Sequence, residues 1–270
     1  MKRTLVFTAG SILLVAAAIV AQNDPDLGFT DTPMLPGQPW HVHDYNRPHP
    51  PVVTPGTAST QDKIGKAPSD AIVLFDGKDL SQWGDDKGGP PEWKVKDGYV
   101  EVAGKTDLVS KQKFGSIQLH VEWTEAPNIQ GKGQSRGNSG VILMSRYEIQ
   151  VLDNFQSPTY ADGTAGAIYG QWPPLANALR KPGDWNSYDI VFEAPVFEND
   201  KLAKPAFQTV FVNGVCVHNH KEVMGAMVYR AVGTYKPHAA EEPLMLQNHH
   251  NPVRYRYVWV RKMHGYDGKP

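Results

Sequence analysis

One cysteine in 270 residues excludes an internal disulfide, so the packing of an apolar core must carry the stability. Charge of one sign is missing too. The 27 Lys and Arg against 28 Asp and Glu leave a net charge of −1, which offers no bulk attraction to nucleic acid or an anionic membrane. No amphipathic pattern longer than two helical turns appears, and no internal repeat of fixed period. The glycines form no dinucleotide or phosphate-loop pattern. There is no zinc motif, no Gly-x-Ser-x-Gly elbow and no Cys/His nucleophile pair. The lone Cys216 lies in the run FVNGVCVH and reads as a small buried hydrophobe.

What is present divides the chain into four parts. Residues 1–21 have Lys2 and Arg3 ahead of an apolar run that ends in small residues. This is the pattern of a secretory signal peptide, with a retained anchor as the alternative. It places the mature protein in the periplasm or outside the cell, free of the membrane once the signal is removed. Residues 22–69 are proline-rich. Proline fixes φ and removes a donor, so they read as an extended arm or linker, in which Trp40 is expected to dock on the sandwich. His41, His43 and His49 lack the carboxylates or cysteines that would complete a metal set. Residues 70–264 form the folded domain, and 265–270 a short tail.

Within 70–264 short apolar runs recur between Gly, Asn and Pro. SIQLHVEWTEA alternates over Ile117, Leu119, Val121 and Trp123, the period-two signature of a half-buried strand. Asp97-Gly98 and Asn213-Gly214 sit between paired runs and predict tight hairpins. The fold class is all-β, a sandwich.

Chemistry concentrates in three segments. In RGNSGVILMSRYEIQVLD, residues 136–153, Glu148 and Gln150 share a strand face while Ile149 and Val151 take the other. A β-bulge after Gln150 would bring Asp153 onto the Glu148 face. A similar bulged row of acids serves laminarinase-like glucanases, where two carboxylates flank the sugar bond; here the middle residue is Gln150. The plain alternative is a solvent-facing polar strand. In LQNHHNPVRYR, Gln247 and His249 share one face and Arg254 and Arg256 another, and the turn Asn251-Pro252 predicts that the two strands are neighbours. In GTAGAIYGQW, small residues before Tyr169 suggest close approach to a ligand, and a tyrosine ring is a platform for a sugar face.

FDGKDLSQW, EWKVKDGYV, GNSGVIL, YEIQVLD, GAIYG, DWNSYDIVFEAP, FVNGVCV and LQNHHNPVRYRYVWVRKM resemble, in order, the 3-keto-disaccharide hydrolase family, also described as 3-keto-glucoside 1,2-lyase and 3-keto-2-hydroxyglucal hydratase. The resemblance implies a concanavalin-A-like jelly roll with a cleft on its concave face. It also implies an oligosaccharide or 3-keto-glycoside substrate, cleaved by 1,2-elimination and hydration. Such chemistry needs a base, an acid and donors for an enolate oxygen. The candidates are Glu148 or Asp153 as base and His249 or Tyr169 as acid. Arg136, Asn138, Gln150, Gln247, Arg254 and Arg256 are the candidates to hold the substrate. No resident cofactor is expected, although a divalent metal ion could polarise the ketone instead. A lectin-like binding module, a retaining glucanase and a cell-surface structural domain are the rival readings.

Overall fold

The computed structural model describes residues 26–268, so the signal-like residues 1–21 lie outside it. Two compact units emerge, residues 26–52 with 264–268 and residues 53–263. In the first, turns are joined by bridges between Phe29 and Asp44 and between Met34 and His41. Trp40 Nε1 donates to Asp267 at 3.1 Å and Arg47 Nε to the same carboxylate at 2.7 Å. Trp40 is thus anchored to the C-terminal tail. The arm expected over 22–69 divides at residue 52. Its second half belongs with the sandwich, pegged there by Arg256, which donates to the Gln61 and Thr60 carbonyls at 2.7 and 2.5 Å.

The second unit carries fifteen strands: β1 (Ile72–Phe75), β2 (Trp83–Asp85), β3 (Lys94–Lys96), β4 (Tyr99–Glu101), β5 (Leu108–Phe114), β6 (Ile117–Glu125), β7 (Ser139–Leu143), β8 (Tyr147–Val151), β9 (Asn186–Glu193), β10 (Val196–Glu198), β11 (Lys201–Lys204), β12 (Phe207–Val212), β13 (Val215–Glu222), β14 (Glu242–Leu246) and β15 (Val253–Lys262). Every pairing among them is antiparallel. One sheet runs β13-β12-β9-β6-β15-β4-β3, with β1 also on β15. The other runs β2-β5-β14-β7-β8, and β10-β11 form a separate ribbon. This is the expected all-β jelly-roll sandwich. Both hairpins form as expected. Asp97 and Gly98 have φ of +49° and +80°, Asn213 and Gly214 +51° and +80°, the two positive values a type I′ turn requires.

The core lies between the sheets. Leu119, Val121, Trp123, Tyr188, Ile190, Phe192, Tyr255 and Val258 point inward from the larger sheet, and Val141, Leu143, Ile149, Val151, Leu244 and Leu246 meet them from the smaller one. Side chains of this size contribute about 1.5–3 kcal/mol each when fully buried. Cys216 is half-buried rather than in the core, its thiol 3.4 Å from the His218 carbonyl.

Two features decide where chemistry can occur. β14 and β15 lie in different sheets, so residues 247–252 cross the sandwich as an arch instead of closing the hairpin that Asn251-Pro252 suggested. On β15 the pairing with β6 slips between Tyr255 and Tyr257. This bulge keeps Tyr255 and Val258 in the core while Arg256 and Tyr257 both face out of the larger sheet.

Candidate active site

β8 is held on both sides. β7 pairs in strict register, Gly140 opposite Gln150 and Ile142 opposite Glu148. On its other edge the 166–169 segment acts as a short strand: Gln150 N donates to Ala167 O at 3.0 Å, Gly166 N to Gln150 O at 2.9 Å and Tyr169 N to Glu148 O at 3.2 Å. Strand parity then sends Ile149 and Val151 into the core and Glu148 and Gln150 out of the smaller sheet, as their alternation predicted. The outer face is not solvent. Asn138, Glu148, Gln150, Tyr169, Met227, Tyr229, Gln247 and His249 line a cavity of about 130 Å³. Gln247 reaches it because its backbone N–H continues the ladder onto Gly140 O at 3.0 Å. Gly140 leaves room for the carboxylate: a Cβ there would lie 2.4 Å from Glu148 Oε1 and would displace it.

Glu148 is 3 % exposed. Burial, reinforced by the charge of Asp107, pushes its pKa up to about 8. The Gln150 amide lies 2.9 Å from Glu148 Oε1. Turned with its nitrogen there, it donates to the carboxylate and to the Ser139 carbonyl at 3.2 Å. Turned with its oxygen there, it accepts from a protonated Glu148, and its nitrogen donates to Gln134 Oε1 at 3.1 Å. A side-chain amide can serve both protonation states of one acid in this way. Asn138 Nδ2 is tied to the Gln134 carbonyl at 2.8 Å, which fixes the amide wall. Burial also raises the Tyr169 phenol, as does its 3.2 Å contact with the Tyr160 hydroxyl, so Tyr169 stays a proton donor. His249 is exposed at the rim.

Six of the ten residues singled out from sequence therefore converge: Asn138, Glu148, Gln150, Tyr169, Gln247 and His249. Four do not. β8 has no bulge, and its ladder runs on, with Asp153 N donating to Arg136 O at 3.1 Å. Asp153 thus stays in phase with Ile149 and Val151 and turns inward. There it pairs with Arg136 at 2.5 Å and raises the pKa of Glu125, whose own burial is the larger cause, to about 8. Arg254 and Arg256 leave the larger sheet on the far side of the sandwich, because β15 is not in the sheet that carries the cavity. Arg254 pairs with Glu101 at 2.6 Å, and Arg256 with Glu122 at 2.5 Å beneath the Trp185 ring.

A larger cavity, of about 640 Å³, lies on that far face, but its polar groups partner one another. His120 bridges Asp189 at 2.7 Å and Glu122 at 3.1 Å. Burial pulls its pKa down, and these two carboxylates outweigh it and raise it to about 9. We read this network as the anchor of residues 56–61, not as the reactive centre. Among the described residues no group of three or more His, Cys, Asp or Glu side chains is arranged to hold a metal ion. Sequence reasoning missed Asp107, Met227 and Tyr229. Asp107 accepts from Asn248 N at 2.7 Å, and nothing in its neighbourhood marks it. Met227 and Tyr229 sit in an apolar run between Gly225 and Gly233 that fits no strand, which is itself the signal of a binding loop.

No curated protein matches the chain. Among solved structures, a candidate glycosyl hydrolase from Parabacteroides distasonis is 45 % identical over 85 % of this chain and all of its own, with a TM-score of 0.78. Two further candidate glycosyl hydrolases of that organism are 20 % and 18 % identical. Each aligns with 72 % of this chain, covering 94 % and 99 % of their own, at TM-scores of 0.55 and 0.53, and they share the fold. The sequence profile of the 3-keto-alpha-glucoside-1,2-lyase-like domain matches residues 70–261. The chain belongs to the 3-keto-alpha-glucoside-1,2-lyase-like domain family.

Proposed function

We propose that this protein is a carbohydrate-active enzyme that cleaves glycosides already oxidised at carbon 3, with Glu148 as its proton-transfer group. The observation that carries the reading is a carboxyl 3 % exposed, with a pKa of about 8, at the floor of a cavity walled by three amides, two phenols and an imidazole. Burying an acid in a pocket lined with amides costs stability that a plain binding module has no need to spend, and a pKa near the working pH suits general acid–base work.

The ketone acidifies the hydrogen on carbon 2. Ionised Glu148 takes that proton, the electron pair forms the carbon 1–carbon 2 double bond, and the carbon 1–oxygen bond breaks. His249 at the rim, or Tyr169, gives the departing oxygen its proton. Negative charge that develops on the ketone oxygen is met by the side-chain amide N–H groups of Gln247. Glu148 then exchanges its proton with solvent, and water adds to carbon 1, giving a proton back to His249 or Tyr169 while Glu148 delivers one to carbon 2, so the sum is hydrolysis and every group is restored. Asp153 turns away from the cavity, which leaves Glu148 as the one carboxylate lining it among the described residues.

The test is product release from a 3-keto-glucoside and from the same glucoside unoxidised. Release from the first alone supports the reading. Glu148→Gln should then lower turnover by at least about a hundredfold, the usual share of a general acid or base. Equal release from both substrates would make the protein an ordinary glycosidase, and binding without release a lectin.

A further inference from the structure

We infer that the cavity continues into an apolar groove that receives the carbon 1 substituent, and that this substituent is an aromatic group rather than a second sugar. The inference rests on the reading that the oxidised ring occupies the Glu148 cavity. That cavity, at about 130 Å³, has room for about one ring. The rest of any glycoside must leave it. A groove of about 520 Å³ shares Tyr169 and Tyr229 with the cavity and is otherwise lined by Tyr160, Val228, Ala231 and Val232, with Asp162 and Arg230 as its only ionic side chains among the described residues.

The groove is built, not incidental. Its outer wall is the tip of a loop pinched at the base, where Ala226 N donates to Thr234 O at 3.2 Å. Both flanking positions must be glycine, since a Cβ on Gly225 would come within 2.5 Å of Thr234 and one on Gly233 within 2.2 Å of Ala226 O. Gln171, two residues past Tyr169, clamps the loop with both ends of its amide, accepting from Met224 N at 2.7 Å and donating to Gly225 O at 2.9 Å. So held, the loop leaves Tyr229 70 % and Val232 78 % exposed beside Tyr160 at 45 %. Large apolar side chains presented together beside a reactive cavity mark a contact surface. The Tyr160 and Tyr169 hydroxyls face each other at 3.2 Å, and three of the remaining walls are Val or Ala. A second sugar would find partners in Asp162, Arg230 and the Tyr229 hydroxyl but would set its hydroxyls against Val228, Ala231 and Val232. An aromatic ring would stack on tyrosine and bury valine without stranding a polar group.

The experiment compares kcat/KM for phenyl and methyl 3-keto-glucosides and a 3-keto-disaccharide, using the full protein and a Val232→Asp variant. Val232 lines the groove and not the cavity, and it is exposed, so the variant should fold. The charge should lower kcat/KM for the phenyl substrate about tenfold, as expected for losing one apolar contact, and leave the methyl substrate unchanged. Because each substrate is compared with itself, leaving-group reactivity cancels. An equal loss on methyl and phenyl, or a loss on the disaccharide alone, would overturn the inference. Should the protein turn over no 3-keto substrate at all, the proposed function falls, and titration with unoxidised phenyl and methyl glucosides decides the groove separately. Phenyl preference lost in Val232→Asp would uphold it, and equal affinities would end it.

Discussion

Replacing Glu148 by glutamine should remove a pH-dependent weakness from the fold. In the unfolded chain the carboxyl ionises near 4.5, and in the folded protein only near 8. Between those values the unfolded state has released a proton that the folded state still holds. Stability conferred by the neutral form is therefore complete below about pH 4.5 and is lost as pH rises towards 8. A shift of this size corresponds to about 3 kcal/mol of stability lost between pH 5 and pH 8, at ~1.4 kcal/mol per unit. The side chain is almost fully enclosed, so solvent screening takes little from that figure. Glutamine keeps the shape and has no such titration. Urea midpoints at pH 5 and pH 8 for both proteins measure the effect. Glu125, equally pushed up to about 8 by burial and by Asp153, titrates in both and cancels. The variant should gain on wild type by about 3 kcal/mol on going from pH 5 to pH 8. Parallel pH dependences would show that Glu148 ionises freely and would remove the ground for its proposed role.

Other consequences can be measured alongside. Turnover should rise with pH through about 8, following the ionisation of Glu148, in a kcat/KM profile; a fall across that range would make Glu148 the acid instead of the base. Gly140→Ala should cut kcat by tenfold or more while the protein still melts cooperatively, because the new Cβ intrudes on the carboxylate at 2.4 Å. Arg256→Ala removes one of the two cationic partners of the buried Glu122, leaving His120, and should lower stability by about 1–3 kcal/mol, with turnover per folded molecule preserved. Arg254→Ala breaks a partly exposed pair with Glu101 and should cost about 1 kcal/mol or less, as thermal denaturation would show. Mass spectrometry of exported material should find a chain that begins beyond residue 21.

Much of the sandwich could be read from period-two alternation and two Xaa-Gly turns, because strand faces and type I′ turns are fixed by nearest neighbours in the chain. The same local rule placed Glu148 and Gln150 together, and Gln247 and His249 together. It failed where the answer depended on which sheet a strand joins. Asn251-Pro252 looks like a hairpin turn locally, yet β15 joins the larger sheet, beside β6 and β4, and sets Val253, Tyr255 and Val258 in the core from that side, so Arg254 and Arg256 were carried to the opposite side. Asp153 failed for a related reason. A bulge would have exposed it, whereas inward it finds Arg136 as a partner for its charge. The loop bearing Tyr229 was invisible to periodicity because its shape comes from a glycine pinch and a side-chain clamp.

Proton abstraction at carbon 2 by Glu148 is the step on which the proposed chemistry stands. Running the reaction on a 3-keto-glucoside in deuterium oxide and locating the label by NMR tests it most directly, with an enzyme-free control for exchange beside the ketone. Elimination and re-addition predict enzyme-dependent deuterium at carbon 2 of the released sugar, abolished in Glu148→Gln. Released sugar with protium still at carbon 2 would contradict a proton that leaves carbon 2 for Glu148 and is replaced from solvent.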